Sequence, residues 1–365
     1  MERAILVGTA RHSRAGTHEL DEHLEELARL ADTAGAQVVG RLAQRIEAPN
    51  PTYYIGHGKV MSLADLAGTV GATLVVFDDE LSPAQGKNLE AALNLRVMDR
   101  PELILDIFVR RARSKEARMQ VELAQLEYLL PRLARMWVHL SRIRGGIGLR
   151  GPGETQLETD RRMIRRKITT LKRKLKDVSR HRAILRSGRR GIPTAALVGY
   201  TNAGKSSLLR ALTGADTLIE DRLFATLDTM TREVAVDGKD GRGMRVRLVD
   251  TVGFIRKLPH HLVASFRATL EEAEQADVLY HVIDASHPDW EEQVAVVDGV
   301  LAELRGPPRE VVHVFNKMDL VEEPGLFRSR ALDRYPGATF VSAERGEVGA
   351  LTARWARETA PPAGG

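Results

Sequence analysis

The stretch TAALVGYTNAGKSSLLRALTG, residues 194–214, determines how the rest of the chain is interpreted. An apolar run leads into a glycine-rich segment and then into residues with helical spacing, which predicts a strand, a loop and a helix. The loop carries the pattern G-x-x-x-x-G-K-[ST] from Gly199 to Ser206. In such a P-loop the glycines let backbone N–H groups approach phosphate, Lys205 neutralises the β- and γ-phosphate oxygens, and the Ser206 hydroxyl ligates magnesium.

Three short motifs follow the P-loop, each at the end of a predicted strand. MRVRLVD ends at Asp250 in DTVGF, EVVHVF runs into NKMD at residues 316–319, and a third strand ends in FVSAE at residues 340–344. Asp250 can hold magnesium through water, and the backbone N–H of Gly253 can sense a γ-phosphate. Open α/β sheets bind ligands at the carboxyl ends of their strands, so we expect the motifs to converge on one site.

The NKMD motif predicts the base that is recognised. The Asp319 carboxylate can accept hydrogen bonds from N1–H and the exocyclic amine of guanine, a donor pair that adenine lacks. We expect Asn316 to support the base edge and the Lys317 stem to cover the ring face. Ser342 and Ala343 are placed to close the base pocket. The sequence therefore predicts a guanine nucleotide, GTP or GDP, bound with Mg²⁺.

Length and composition limit the broad class of protein. The chain has 365 residues, of which 43% are hydrophobic and 28% charged, which predicts two or three globular domains. It has no cysteine, which excludes disulfides and cysteine-ligated metal sites. The N-terminus does not resemble a signal peptide, and no apolar run approaches the roughly 18 residues that a spanning helix needs. We expect a cytoplasmic monomer with no membrane contact.

The chain divides into three predicted parts and a tail. Residues 1–113 alternate short apolar runs with helical segments, which predicts an N-terminal α/β domain with a largely parallel sheet. Residues 114–190 are predicted to be helical, and the turn-rich stretch 187–193 marks a boundary. Residues 191–360 alternate again and form the P-loop GTPase domain, and residues 361–365 are predicted to be disordered.

Two heptad-spaced seams favour a long antiparallel helical hairpin, in coiled-coil style, over residues 114–190. Pro131 is expected to kink its first helix. The alternative is a pair of amphipathic helices packed on a globular core. The first seam is Met119, Leu123, Leu126, Leu130, Leu133, Trp137 and Leu140, and the second is Ile164, Ile168, Leu171, Leu175 and Val178.

A second glycine-rich stretch, GGIGLRGPGETQLETDRR at residues 145–162, lies between the two seams. It follows no strand and lacks the lysine–hydroxyl pair, so it is interpreted as the hairpin tip and not as a nucleotide loop. Residues 141–190 hold 17 Lys and Arg against 4 Asp and Glu. Such a basic stripe is typical of a polyanion-binding surface, although a solvated helical face and a plain hairpin turn are the simpler alternatives. The arginines assigned to RNA phosphates are Arg142, Arg144, Arg150, Arg161 and Arg162.

The series of motifs resembles the translation-factor-related GTPases. In that group the stretch DRLFATLDTMTRE, residues 221–233, corresponds to the first switch loop, in which a threonine completes the magnesium shell in the GTP state. The resemblance favours Thr226 over Thr229 and Thr231. It implies Lys205, Thr226 and Gly253 as catalytic residues and Ser206 and Thr226 as metal ligands. The nucleotide site as a whole is assigned to Gly199, Tyr200, Thr201, Asn202, Ala203, Gly204, Lys205, Ser206, Ser207, Phe224, Ala225, Thr226, Leu227, Asp228, Asp250, Thr251, Val252, Gly253, Asn316, Lys317, Met318, Asp319, Ser342, Ala343 and Glu344.

Phe254 stands where many GTPases have a glutamine that orients the attacking water. Phenylalanine can neither orient nor deprotonate water, so we expect slow intrinsic hydrolysis that backbone groups, a cation or a partner complete. Asn202 resembles the residue with which some relatives hold K⁺ in that role. A side chain that merely stabilises the loop is the alternative.

The chain resembles the HflX family of ribosome-associated GTPases over nearly its whole length. GGIGLRGPGETQLETDRR matches that family's signature, YYIGHGKV at residues 53–60 resembles its N-terminal signature, and GYTNAGKSSL, LFATLD, DTVGFI and NKMD match its GTPase motifs. The resemblance implies docking on the large ribosomal subunit (50S) through the N-terminal domain and hairpin, and splitting or rescue of stalled ribosomes under stress. A C-terminal extension of some members is expected to be absent. Gly56, Gly58 and Lys59 are interpreted as structural.

Two other functions stay open at this point. One is a GTPase that acts on another RNA or in ribosome assembly. The other is a nucleotide-gated scaffold with little turnover, which Phe254 keeps open. His281 and His313 lie in predicted strands and are interpreted as core residues.

Overall fold

A computed structural model describes residues 1–11, 18–133, 152–187, 192–214, 222–237, 243–258, 273–303 and 310–358. The chain separates into two compact units. The first comprises residues 1–110 and 118–175, and the second comprises residues 111–117 and 176–365. Each unit is an α/β structure, as the alternating sequence pattern predicts.

The first unit is built on a four-stranded parallel sheet in the order β2-β1-β3-β4. Its two central strands, Arg3–Arg11 and Leu74–Phe77, are mostly buried and read as apolar runs, whereas the edge strand Gln37–Ile46 is largely exposed or half-buried. Its elements are β1 (Arg3–Arg11), α1 (His18–Thr33), β2 (Gln37–Ile46), α2 (His57–Val70), β3 (Leu74–Phe77), α3 (Pro83–Leu93), β4 (Arg96–Asp99) and α4 (Arg100–Arg111).

Local sequence explains where these elements begin and end. All four residues of β3 are buried, as expected for a central strand. Helix α3 starts with a capping box in which the Ser82 side chain accepts from the Gln85 N–H and the Gln85 side chain accepts from the Ser82 N–H. The helix ends at Asn94, whose φ of 51° lies in the left-handed region.

The segment after α4 packs on the N-terminal core instead of projecting from it. Helix α5 (Lys115–Leu129) is followed by a single 3-10 turn (Leu130–Arg132) that contains Pro131, so the proline ends the helix as its missing N–H requires. The Tyr128 hydroxyl donates to Asp99 at the end of β4, at 2.8 Å. The buried face of α5 differs in phase from the predicted seam, and its members are Ala117, Gln120, Val121, Leu123, Ala124 and Tyr128.

Helix α6 (Pro152–Ser187) is 36 residues long, and it runs in the same direction as α5 where the two meet. Lys167 pairs with Glu122 at 2.5 Å and Lys172 pairs with Glu127 at 2.7 Å. Residue numbers rise together along both helices, whereas an antiparallel pair would join rising numbers to falling ones. The prediction that 114–133 and 152–187 form an antiparallel hairpin is therefore wrong for these described residues.

The second glycine-rich stretch is also shorter than predicted. Helix α6 begins at Pro152, inside the stretch interpreted as a loop, because proline is favoured in the first turn of a helix. Residues 145–151, with the predicted tip, lie outside the described residues, as do Trp137, Leu140, Arg142, Arg144, Arg150 and the tail 361–365. The second seam is observed as one face of α6, which alternates with exposed basic residues.

The second unit is built on a six-stranded sheet in the order β10-β9-β8-β5-β7-β6. All pairs are parallel except β6 with β7. Its elements are β5 (Thr194–Gly199), α7 (Lys205–Thr213), β6 (Met230–Asp237), β7 (Gly243–Asp250), β8 (Val278–Asp284), α8 (Trp290–Glu303), β9 (Glu310–Asn316), a 3-10 turn (Met318–Leu320), α9 (Pro324–Arg334), β10 (Thr339–Phe340) and α10 (Gly349–Glu358).

The core of this unit lies between the sheet and its helices. One cluster joins β5, β8 and β9 to α7 and α10, with Leu197, Tyr280 and Trp355 each at most 2% exposed. The P-loop, DTVGF and NKMD all follow strands that run parallel, so the predicted motifs meet at one sheet edge. No helix within the described ranges is long and apolar enough to cross a membrane.

Candidate nucleotide-binding site

The P-loop follows β5 and leads into α7, and two of its glycines occupy positions that no other residue fits. Gly199 has a φ of 151°, and a Cβ there would lie 2.2 Å from the backbone oxygen of Val282. Gly204 has a φ of 88°, and its Cβ would lie 2.2 Å from Nδ2 of Asn316. Because contacts below 3 Å force atoms to move, close packing and a left-handed backbone both require glycine here.

Lys205 begins α7 and reaches back across the loop. Its Nζ donates to the carbonyl oxygens of Gly199 at 3.1 Å and Tyr200 at 2.8 Å, and the residue is 7% exposed. Burial lowers the pKa of Lys205 to about 8, an effect that the nearby Asp250 carboxylate opposes. The ammonium group is thus held, without full solvation, beside the loop that cradles phosphate.

Three oxygen-bearing side chains meet next to Lys205. The Ser206 hydroxyl lies 2.7 Å from the Thr226 hydroxyl and donates to Oδ2 of Asp250 at 2.6 Å. Asp250 is fully buried, and burial raises the pKa of its carboxyl. Its Oδ1 has no hydrogen-bond partner within the described part of the chain. A buried carboxylate oxygen without a donor, beside two hydroxyls, is an arrangement that a hard cation would complete.

The DTVG segment lies directly against the P-loop. Phe254 N donates to the oxygen of Gly199 at 3.0 Å, and Thr201 N donates to the oxygen of Phe254 at 2.6 Å. A Cβ on Gly253 would lie 2.7 Å from Cα of Thr201 and 3.0 Å from Nζ of Lys205. The Phe254 ring itself is 1% exposed, so it packs in the interior and offers no group to an attacking water.

Asn316 joins the P-loop to the base-side loop. Its Nδ2 donates to the oxygen of Ala203 at 3.0 Å, and its Oδ1 accepts from the Ala343 N–H at 3.0 Å. With 2% exposure, this amide holds two loops in register. Its observed contacts are therefore positioning contacts, whereas the sequence predicted support of the base edge.

The rest of the NKMD motif is held by two acidic contacts. Asp319 Oδ1 accepts from the Ser342 hydroxyl at 2.6 Å, which orients the carboxylate and leaves it further lone pairs for base donors. Lys317 has a φ of 63°, and its Nζ lies 2.6 Å from Oδ2 of Asp284 at the end of β8. Sequence reasoning missed Asp284, although a carboxylate at a strand end was a usable signal.

A cavity of about 320 Å³ opens among these motifs. It is also lined by Arg222 and Leu320, which the motifs did not single out. The predicted residues that line it are Thr201, Asn202, Gly204, Lys205, Ser206, Ser207, Phe224, Ala225, Thr226, Thr251, Gly253, Asn316, Lys317, Asp319, Ala343 and Glu344.

The other predicted site residues do not line the cavity, namely Gly199, Tyr200, Ala203, Leu227, Asp228, Asp250, Val252, Met318 and Ser342. Several of them support residues that do, as the hydrogen bonds of Gly199, Asp250 and Ser342 show. Asp228 instead accepts hydrogen bonds from the backbone N–H of Arg113, the N–H of Ser114 and the Ser114 hydroxyl. It therefore holds the segment before α5.

Comparisons with known proteins agree with this arrangement. Residues 21–109 match a family described as the GTP-binding GTPase N-terminal region, residues 111–189 its middle region, and residues 194–317 the 50S ribosome-binding GTPase family. A crystal structure described as SsGBP in complex with GDP covers 99% of this chain and 100% of its own, with a TM-score of 0.51 and 25% identity.

Curated relatives extend over most of the chain. GTPase HflX of Caldanaerobacter subterraneus subsp. tengcongensis is 51% identical over 323 residues, which is 88% of this chain and 73% of the relative. GTPase HflX of Escherichia coli is 46% identical over 329 residues, 89% of this chain and 76% of the relative. Identity at this level, over both the nucleotide site and the N-terminal unit, shows that the chain belongs to the HflX family of GTPases.

Proposed function

We propose that this GTPase is a Mg²⁺-dependent switch that binds the large ribosomal subunit in its GTP state and splits, rescues or regulates ribosomes in the cytoplasm. The observation that carries the proposal is the meeting of Lys205, Thr226 and Gly253 around one cavity. Each belongs to a different segment, and only a triphosphate would contact all three. The match of residues 194–317 to the 50S ribosome-binding GTPase family supports the partner.

The site fits a guanine base and a magnesium ion. Asp319, held by Ser342, faces the same cavity as the P-loop and can accept both guanine donors. Ser206 and Thr226 would ligate the ion directly and Asp250 would hold it through water, since its Oδ1 lacks a partner within the described residues. When bound, the ion neutralises charge on the phosphate oxygens.

The switch follows from what a γ-phosphate would touch. Thr226 lies in the loop before β6, and Gly253 lies in the loop after β7. Contacts from one phosphate to both loops would order them, and hydrolysis would release them.

Because Phe254 is buried, we propose that intrinsic hydrolysis is slow and that the ribosome stimulates it. Asn202 lines the same cavity, and because its amide oxygen is a ligand type that K⁺ accepts, it is proposed to hold K⁺ there.

RNA contact is assigned to the basic face of α6. The exposed Lys and Arg residues of this helix outnumber its Asp and Glu residues, and two of the lysines, Lys167 and Lys172, pair with glutamates of α5. Exposed arginines and lysines in a row suit a phosphate backbone. The exposed members include Arg162, Arg165, Arg166, Arg173, Lys174, Lys176 and Arg180. The N-terminal unit is proposed to dock beside them, with the protein acting as a monomer.

The proposal is tested by sedimentation with separated ribosomal subunits in each nucleotide state. We expect tighter binding to the large subunit with a non-hydrolysable GTP analogue than with GDP. Equal binding in both states would refute the switch, and preference for a different RNA would favour the assembly or other-RNA function. Turnover measured with and without large subunits, in K⁺ and in Na⁺, separates a stimulated enzyme from a scaffold with little turnover.

Charge variants test the RNA surface separately. A variant with Arg166→Gln, Arg173→Gln and Lys174→Gln should weaken subunit binding and reduce the salt slope of log K by about 0.7–0.9 for each RNA phosphate that the protein no longer neutralises. The matched control changes Arg232, Arg245 and Arg328 to Gln, which removes the same charge from exposed positions in the second unit. An equal effect from both triple variants would show that net charge, and not α6, carries the binding.

A further inference from the structure

Three side chains that the nucleotide site does not use come together on the other side of β8 and β9. His281 on β8 and His313 on β9 are direct register partners in the parallel pair. Asp298 lies on α8, which packs against β8. One ligand atom from each of the three lies within 4.8 Å of the other two. The sequence pattern predicted core histidines, and the strand pairing brings them to one point.

The separations suit a small divalent ion. His281 Nδ1 lies 3.6 Å from Oδ1 of Asp298. Two ligands at about 2.1 Å from a tetrahedral Zn²⁺ lie about 3.4 Å apart, and no two ligands of one ion can exceed about 4.2 Å. The observed pair therefore needs almost no movement. The His313 ligand atom lies within 4.8 Å of the other two, so a closure of at most about 1.4 Å brings the three atoms to the tetrahedral separation.

A buried polar atom at the centre of the cluster points to a missing partner. His281 is 1% exposed, and its Nδ1 has no hydrogen-bond partner within the described ranges. The Asp298 oxygen, 3.6 Å away, is too distant for a normal hydrogen bond, so the buried nitrogen stays under-satisfied unless a further group completes it. The His313 ring is held in place by the Tyr335 ring, with centroids 4.2 Å apart. The two imidazoles are thus pre-positioned by the strands and by a neighbouring ring.

We propose that His281, His313 and Asp298 form a metal site that takes a divalent transition-metal ion, with Zn²⁺ as its occupant. Two imidazoles and one carboxylate are a donor set that Zn²⁺ prefers and Mg²⁺ does not. Asp298 is 49% exposed, which gives the ion a path from solvent and leaves its remaining position to water. The ion joins two strands and a helix, so its role is structural, and it goes beyond the proposed ribosomal function.

Thermal unfolding of the full chain, after dialysis against a chelator, tests the site with Zn²⁺ alone as the probe. At a Zn²⁺ concentration about 100 times Kd, we expect Tm to rise by roughly 5–10 °C. Asp298→Asn keeps the shape of an exposed side chain and should remove most of this rise, as should His313→Gln. The matched controls are Glu303→Gln on the same helix and His57→Gln, both exposed outside the cluster.

A second measurement does not depend on stability. Co²⁺ bound by two imidazoles and a carboxylate gives visible absorption bands, and Asp298→Asn and His313→Gln should weaken its binding at least about tenfold relative to the controls. No Tm rise with Zn²⁺, or equal rises and equal Co²⁺ binding in the cluster and control variants, would overturn the proposal. In that case His281 and Asp298 are an ordinary ion pair.

Discussion

Replacing Asn316 with alanine should uncouple the P-loop from the base-side loop. The change removes the hydrogen bonds to the Ala203 oxygen and from the Ala343 N–H, both 3.0 Å long. Both backbone groups are buried, and each loses its partner at a cost of about 1–3 kcal/mol. We therefore expect the free energy of unfolding of the second unit to fall by about 2–6 kcal/mol, which lowers Tm by roughly 5–25 °C for a unit of this size.

Tryptophan fluorescence is a suitable probe of this unfolding. Of the three tryptophans in the chain, Trp290 and Trp355 lie in the second unit and are 5% and 2% exposed. Fluorescence during heating thus reports mainly on the unit that contains Asn316. A labelled GDP titration on the same samples should show weaker binding, because the two loops are proposed to contact opposite ends of the nucleotide.

Asn88→Ala provides the matched control. That amide donates one exposed hydrogen bond, to the oxygen of Thr52 at 3.0 Å, so its loss should change stability by less than about 1 kcal/mol. If Asn316→Ala lowers Tm no more than Asn88→Ala does, the two buried hydrogen bonds do not hold the loops together and the reasoning fails.

Three further substitutions and conditions probe the same site. Burial lowers the pKa of Lys205 from 10.5 to about 8, so between these pH values the folded, nucleotide-free protein has lost the proton that the unfolded chain still holds. The free energy of unfolding should therefore rise with pH between 8 and 10.5. GDP affinity should fall about tenfold per pH unit above 8, because binding GDP then requires the uptake of a proton. Calorimetry in buffers of different ionisation enthalpy measures that uptake, and pH-independent affinity up to pH 9.5 would contradict it. Gly253→Ala places a Cβ 2.7 Å from the backbone of Thr201, which displaces the P-loop. GTP turnover should fall at least about tenfold, which corresponds to about 1.4 kcal/mol or more in the activation free energy. The control Gly299→Ala, whose Cβ meets open space on α8, should leave turnover unchanged, and equal rates in both variants would count against the packing argument. Asp319→Asn replaces one charged acceptor, worth about 1.5–3 kcal/mol, with an N–H donor and should weaken GDP binding by about 10- to 150-fold, with partial recovery for a xanthine nucleotide. Unchanged GDP affinity would remove Asp319 from base recognition.

Most of the second unit could be predicted from short motifs because each motif sits at a strand end. The pattern from Gly199 to Ser206 demands a strand, a loop and a helix, and parallel strands bring their carboxyl ends to one edge. Lys205, Thr226, Gly253 and Asp319 line the cavity as that logic requires. Arg222 was missed although it lies in the quoted switch-loop stretch, because the resemblance assigned no role to that position, and Asp284 was missed because it belongs to no recognised motif.

Heptad spacing was a weaker guide. Residues repeating every three or four positions predict a helix with one apolar face, and α5 and α6 are helices. The spacing does not say what covers that face. In α5 the N-terminal core covers it, through hydrogen bonds such as that of Tyr128 with Asp99, and the two Lys–Glu pairs show that α6 runs alongside in the same direction.

The sequence by itself determined the elements, the nucleotide motifs and the lack of thiol chemistry, because local propensity and residue chemistry act over a few positions. Only the tertiary structure decided which distant residues meet. Asn316 reaches the P-loop, Asp284 reaches Lys317, and Asp298 reaches two histidines. These contacts arise from strand order and helix packing, which no short stretch of sequence encodes, since they depend on how whole elements bury their apolar faces against one another.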